Sequence, residues 1–204
     1  MQIVLNKLTK KYNKQIIFTD LDYVFEPNQT YALIGYNGSG KSTLIQILFN
    51  YNTISKGEIS YYLNNKLIEE NAQQFMAFAA PYLDLPEELT LQEIINFHFS
   101  IKQKRADINI DLLLEQANLT EHTQKMIKYF SSGMKQRVKL ILAFATQADI
   151  LLLDEPCSNF DQAGIEWYKQ CIELVKGKCT IVVASNQTYE YDFCLHQLDI
   201  IKYK

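Results

Sequence analysis

The chemistry in this chain begins at Gly35-Tyr36-Asn37-Gly38-Ser39-Gly40-Lys41-Ser42-Thr43, which fits the phosphate-loop spacing G-x-x-x-x-G-K-[ST]. Gly35, Gly38 and Gly40 permit a backbone curl that turns N–H groups inward, in conformations a Cβ resists. Lys41 adds a cation able to reach β- and γ-phosphates, and the Ser42 hydroxyl suits Mg²⁺. A second candidate is the acidic pair Asp154-Glu155, which closes the apolar run Ile150-Leu151-Leu152-Leu153. The remaining candidates lack company. His98 reads as a packed histidine on an apolar helix face, and His122 and His196 have no partners at ligand spacing. Cys157, Cys171, Cys179 and Cys194 show no C-x-x-C spacing and read as reduced, structural thiols.

These residues need elements to hold them. Thr30 to Ile34 reads as a short buried strand before the loop and Leu44 to Leu48 as an apolar helix after it, an order that aims a helix N-terminus at an anion. Ile150 to Leu153 has the unbroken apolarity of a parallel strand buried on both faces. A helix over 162–175, with Ile165, Tyr168, Ile172 and Val175 inward, and a second buried strand from Cys179 to Ala184 follow it. Strands alternating with helices imply a mainly parallel sheet whose ligand lies beyond the carboxyl ends of the strands. The phosphate loop and the acidic pair both fall on that edge. Ahead of them, Gln2 to Leu8 and Ile16 to Phe25 form a hairpin about Asn13-Lys14, and Tyr12, just before the turn, offers an aromatic face to a base. Further strands are predicted at Gly57 to Tyr62 and Phe75 to Ala80. Leu91, Ile94, Ile95 and His98 then open some sixty residues that read mostly as helix, with segments at 111–117, 120–127 and, more strongly, Gln136 to Thr146.

At 204 residues the chain can bury one sizeable core, or one core with a smaller lobe. A composition of 48% hydrophobic and 21% charged residues excludes long disorder. A net charge of −3, without a basic stripe, excludes a nucleic-acid role; Lys102 to Arg105 reads as a solvated helix end. No apolar run reaches the roughly 18 residues of a membrane span, and Gln2-Ile3-Val4-Leu5 follows the start without a basic region or cleavage site. A soluble cytoplasmic protein is expected.

Taken together, the motifs resemble the nucleotide-binding domain of ATP-binding-cassette (ABC) transporters, over essentially the whole chain. Ile150 to Pro156 looks like the Walker B segment, Phe130-Ser131-Ser132-Gly133-Met134 stands where the signature L-S-G-G-Q belongs, and Ser158-Asn159-Phe160-Asp161 resembles the D-loop. The resemblance implies an α/β phosphate-loop NTPase (RecA-like) core with a mainly parallel sheet, an N-terminal antiparallel β subdomain and an inserted α-helical subdomain. Residues 1–204 would form a single ATPase domain, the core about 1–80 and 146–204 and the helical subdomain about 81–145. It implies Mg-ATP bound by Gly35, Asn37, Gly38, Ser39, Gly40, Lys41, Ser42 and Thr43, with Tyr12 on adenine and Ser131 and Gly133 reaching the γ-phosphate of a partner subunit. Ser42 and Asp154 would hold Mg²⁺, and Glu155 and Lys41, with Asn186, would serve hydrolysis.

The same resemblance implies a head-to-tail homodimer, or a heterodimer with a paralogue. The dimer would drive a separate transmembrane permease and sit at the inner face of the membrane through it. The chain's end at Lys204 resembles small exporter-type subunits; the transported substrate is not encoded. Tyr82, Leu83 and Leu85, apolar in a loop stretch before Pro86, are candidates for contacting the permease. Ala80-Pro81-Tyr82 occupies the place of the family's metal-binding glutamine, and Ser185-Asn186 that of its Ser-His. Those departures motivate the alternative of a nucleotide-gated interaction module with negligible hydrolysis. DNA-repair and chromosome ATPases of the family would need coiled-coil or zinc insertions, for which there is neither a heptad run nor a cysteine cluster.

Overall fold

Apolar residues on alternating positions of the central strands build two cores, one on each side of a single sheet. In the computed structural model, which describes residues 1–204, a parallel five-stranded sheet has the order β6 (Met76–Ala79), β7 (Ile150–Asp154), β8 (Thr180–Ala184), β3 (Thr30–Ile34), β9 (His196–Asp199). Successive strand side chains point to opposite faces. Leu151, Leu153, Ile181 and Val183 therefore join one core with α4 (Ser132–Ala145) and α5 (Gln162–Val175). Ile150, Leu152, Val182 and Ala184 join the other, with α1 (Lys41–Leu48) and a second sheet. That second sheet is antiparallel, of order β2 (Gln15–Phe25), β1 (Gln2–Tyr12), β4 (Lys56–Leu63), β5 (Lys66–Ile68).

Between β6 and β7 come α2 (Leu91–Ile101), α3 (Ile110–Gln116) and α4. Each begins at a residue that satisfies free N–H groups. Thr90 accepts from the Glu93 N–H at 3.2 Å while the Glu93 carboxylate accepts from the Thr90 N–H at 2.8 Å, a reciprocal capping box. Asn109 caps α3 and Ser131 caps α4. The segment Thr120 to Ile127, expected as a helix, instead makes short 3₁₀ turns at Thr120–His122 and Ile127–Tyr129, with Met126 bridged to Thr90. α4 starts four residues ahead of the expected Gln136, because Ser131 caps it there. β5, β9 and α6 (Thr188–Tyr191) were not expected.

The Lys102 to Arg105 run is not a solvated helix end. Lys102 Nζ donates to the Gln73 and Met76 carbonyls at 2.8 and 3.1 Å, and the buried Arg105 guanidinium donates to the Ala148 carbonyl at 3.1 Å. Their charges terminate open backbone acceptors beneath the helical lobe. All four cysteines are free, and burial pushes the Cys157 thiol up from its ordinary value. No helix is long and apolar enough to cross a membrane.

Candidate functional site

Strand order dictates which residues meet. β8 lies between β7 and β3, so Ser185-Asn186, leaving β8, sits between Glu155, leaving β7, and the loop that leaves β3. In that loop Gly40 has φ 108° and packs so closely on the hairpin that a Cβ would lie 2.6 Å from Ile17 Cγ2. A Cβ on Gly35, at φ 145°, would lie 2.6 Å from Ser39 Oγ. Only glycine fits either place. The α1 N-terminus that follows has no side-chain cap and no acidic residue in its first turn, which leaves its N–H groups and its positive dipole end for an anion.

Lys41 folds back over the loop. Its Nζ donates to the Gly35 and Tyr36 carbonyls at 2.8 and 3.2 Å and to Asn186 Oδ1 at 2.7 Å. Burial pulls the ammonium below its ordinary pKa, against the attraction of Glu155 and Asp154. Asn186 was expected to contact a γ-phosphate. Here its carbonyl is taken by Lys41 and its amide donates to Asn37 Oδ1.

The two acids occupy opposite environments. Asp154 is 1% exposed; Oδ2 accepts from the Tyr82 hydroxyl at 2.8 Å, and Oδ1 has no partner in the chain. Burial raises its pKa, and the Tyr82 and Ser42 hydroxyls pull it back. A buried carboxylate oxygen without a donor is costly unless a cation meets it. No cluster of three or more His, Cys, Asp or Glu side chains forms a cage; one carboxylate and the Ser42 hydroxyl are instead the sparse protein set that suits Mg²⁺ completed by phosphate oxygens. Glu155 is exposed, its N–H donates to the Ala184 carbonyl at 2.9 Å, and its φ is 41°. Positive φ at a glutamate is backbone strain of the kind that collects at functional sites.

Tyr12 ends β1, its hydroxyl accepting from Asn52, in the segment after α1, with the Lys10 ammonium 4.5 Å over its ring. Ser131 and Gly133 line a cavity of about 300 Å³ with Arg137 and Asn159, whereas Asn37, Glu155 and Asn186 line another of the same size. The loop and the signature segment thus line different cavities, which share Asn159 and Phe160 between them. Tyr82, Leu83 and Leu85 were expected to line the groove between core and helical lobe, and Tyr82 is 44% exposed. Only the leucines line the groove of about 320 Å³ between sheet and helical lobe, with Phe49, Phe78 and His98. Tyr82 turns to Asp154 because its strand, β6, pairs with β7, which places both residues at the same sheet edge. An aromatic hydroxyl just past a strand's carboxyl end is the signal that could have found it. Glu190 also escaped notice: it is buried on α6 and accepts from the Cys157 N–H at 2.7 Å, tying that short helix to the turn after Glu155.

A parallel sheet carrying strand, glycine loop and uncapped helix, with a buried carboxylate at the end of the next strand but one, defines the phosphate-loop NTPase class. The ABC transporter family model matches residues 18–158, and the chain belongs to that family, as an ABC transporter ATP-binding protein. It is 27% identical over 202 residues to "Uncharacterized ABC transporter ATP-binding protein YcbN" of Bacillus subtilis, covering 97% of this chain and 65% of that one. It is 29% identical over 168 residues to "Fe(3+) ions import ATP-binding protein FbpC" of Fusobacterium nucleatum, covering 79% and 44%. The chain therefore spans less than two thirds of these relatives' length. A putative ABC transporter ATP-binding protein from Pyrococcus furiosus shares the fold, with a TM-score of 0.83 at 22% identity and 100% of each chain covered.

Proposed function

We propose that this chain is the ATP-binding and ATP-hydrolysing subunit of an ABC transporter. It would act as one ATPase unit over residues 1–204, with its core at about 1–80 and 146–204 and its helical lobe at about 81–145. One observation carries the reading: an uncapped helix N-terminus, the buried Lys41 ammonium and the unpartnered Asp154 Oδ1 meet at one sheet edge. The loop from Gly35 to Thr43 binds the phosphates, and Tyr12 lies beside the base. Ser42 and Asp154 hold Mg²⁺, which when bound neutralises phosphate charge. Glu155, exposed and ionisable, accepts the proton of the attacking water, a role that contributes typically about 10²–10⁴-fold. Asn186 supports the phosphates only in part, since its carbonyl is engaged by Lys41 and it cannot carry a proton.

A second copy, or a paralogue, completes the site. Ser131 and Gly133 lining a different cavity from Asn37, Glu155 and Asn186 supports this reading. A membrane permease docks in the groove that Leu83 and Leu85 line, and it brings the subunit to the inner face of the membrane from the cytoplasm. A second reading, a nucleotide-gated interaction module with negligible turnover, is favoured by the capture of Asn186 by Lys41. The retained, strained Glu155 weighs against it. Glu155→Gln decides: slowed hydrolysis with accumulation of an ATP-bound dimer in light scattering supports the transporter reading. A Glu155→Gln protein that stays monomeric in saturating ATP, alone and with its permease, overturns the dimer. An unchanged, negligible rate in wild type and variant favours the gated module.

A further inference from the structure

The carboxylate expected to hold Mg²⁺ has one oxygen spoken for, and the partner is an aromatic residue. Tyr82 lies in the loop from β6 to α2, and its hydroxyl donates to Asp154 Oδ2 at 2.8 Å. A carboxylate on a short side chain turns broadly about its last torsion, so a single fixed donor sets the plane of the group. With Oδ2 held, Oδ1 is the oxygen left buried and without a donor. The phenol's own position is fixed from two directions. Its ring meets Phe78 edge-on, with centroids 6.3 Å apart. Behind it, Lys139 of α4 donates to the Ala80 and Pro81 carbonyls at 3.3 and 2.6 Å, which pins the backbone immediately before Tyr82. The Leu83 N–H closes the turn on the Ala80 carbonyl at 3.3 Å.

Resting on the reading of this site as a Mg-ATP site, we propose that Tyr82 is a positioning residue for the metal. Its hydroxyl orients Asp154 so that Oδ1 faces the divalent cation, and Lys139 holds the loop at the height this requires. A phenol in this place does not need to touch the cation; it acts through the carboxylate. Outer partners of metal-ligating side chains commonly control affinity by about 10–100-fold. Because the loop is pinned by a lysine from α4, whose first turn carries Ser132 and Gly133, the same contacts tie the cation site to the helical lobe.

Tyr82→Phe tests this, since it keeps the ring on Phe78 and deletes only the hydroxyl. The readout is Mn²⁺ uptake by electron paramagnetic resonance in the presence of a non-hydrolysable ATP analogue, beside binding of that analogue in EDTA. The expected result is Mn²⁺ affinity lowered about tenfold with metal-free nucleotide affinity unchanged. Mn²⁺ affinity within twofold of the wild type overturns the role of Tyr82 and leaves the nucleotide site standing. An equal loss of Mn²⁺ and metal-free nucleotide binding marks a merely structural tyrosine and also overturns it. A wild type that binds neither analogue nor Mn²⁺ overturns the reading of the site itself.

Discussion

The phosphate loop and the side chains of Tyr82 and Asn186 are wired differently. The loop offers backbone N–H groups at an uncapped helix end, aimed outward. Tyr82 and Asn186 spend their polar groups on the site's own side chains, Asp154 and Lys41. On the proposed reading, phosphate recognition would rest on main-chain N–H groups, glycines and the Lys41 ammonium. The side chains around them form a small network in which each member's replacement alters another.

Breaking the loop side should have the largest effect. Lys41→Ala removes the one cation folded over the loop, and ATP affinity should fall more than tenfold, about 1.4 kcal/mol or more; unchanged binding by titration would erase the contrast. The network side is tested by Asn186→His. One positioned donor at developing charge is worth about 10²–10³ in rate in favourable cases. The wild type should turn over ATP slowly and in dependence on Glu155, and the histidine variant faster, because it supplies a longer donor and releases Lys41 from the amide carbonyl. Brisk wild-type turnover that Asn186→His slows would show a site adapted to asparagine.

The smallest effect concerns the groove on the far side of the loop from Tyr82. Thr146 Oγ1 donates to the Leu142 carbonyl at 2.7 Å, so toward His98 Nε2, 2.8 Å away, it accepts, which fixes the Nε2–H tautomer. Burial, with Lys102 nearby, holds His98 below its usual 6.5. The unfolded chain then takes up a proton at a higher pH than the folded one, so stability is full above about pH 6.5 and declines as pH falls toward the folded value. His98→Gln should flatten that decline, with a difference in Tm of about 2 °C between pH 7.5 and 5.5. An equal slope in both proteins would assign the pH dependence to other groups.

Where apolar pattern and burial coincide, the fold was legible. α5 occupies the 162–175 its periodicity predicts, and β3 matches Thr30 to Ile34. The edge that collects Gly35, Asp154 and Asn186 follows from parallel strands alone. What was hidden depended on tertiary partners. β9, with His196 and Gln197 exposed, has too little apolar pattern to declare itself; it exists because Tyr31 to Ile34 offers an open edge to pair with. Thr120 to Ile127 carries a helical spacing that is overridden by the bond of the Ile127 N–H to the Leu89 carbonyl and of the Leu91 and Gln92 N–H groups to the Lys125 and Thr123 carbonyls. Tyr82 reads as an apolar surface residue until β6 is known to neighbour β7. Asn186 could be placed from the sequence, but its bond to Lys41 could not, since that contact joins residues that follow two strands, β8 and β3, which only the sheet order makes adjacent.

The central strands also have a consequence for how the molecule comes apart. β7 and β8 give one face to the hairpin sheet and α1 and the other to the helical lobe and α5, with Leu151 and Leu152 as adjacent residues on opposite sides. Neither core can melt without stripping one face of strands the other still needs. The lobe, despite its insertion between β6 and β7, is therefore not an independent cooperative unit, and heat should carry both halves through one transition in which calorimetric and van't Hoff enthalpies agree.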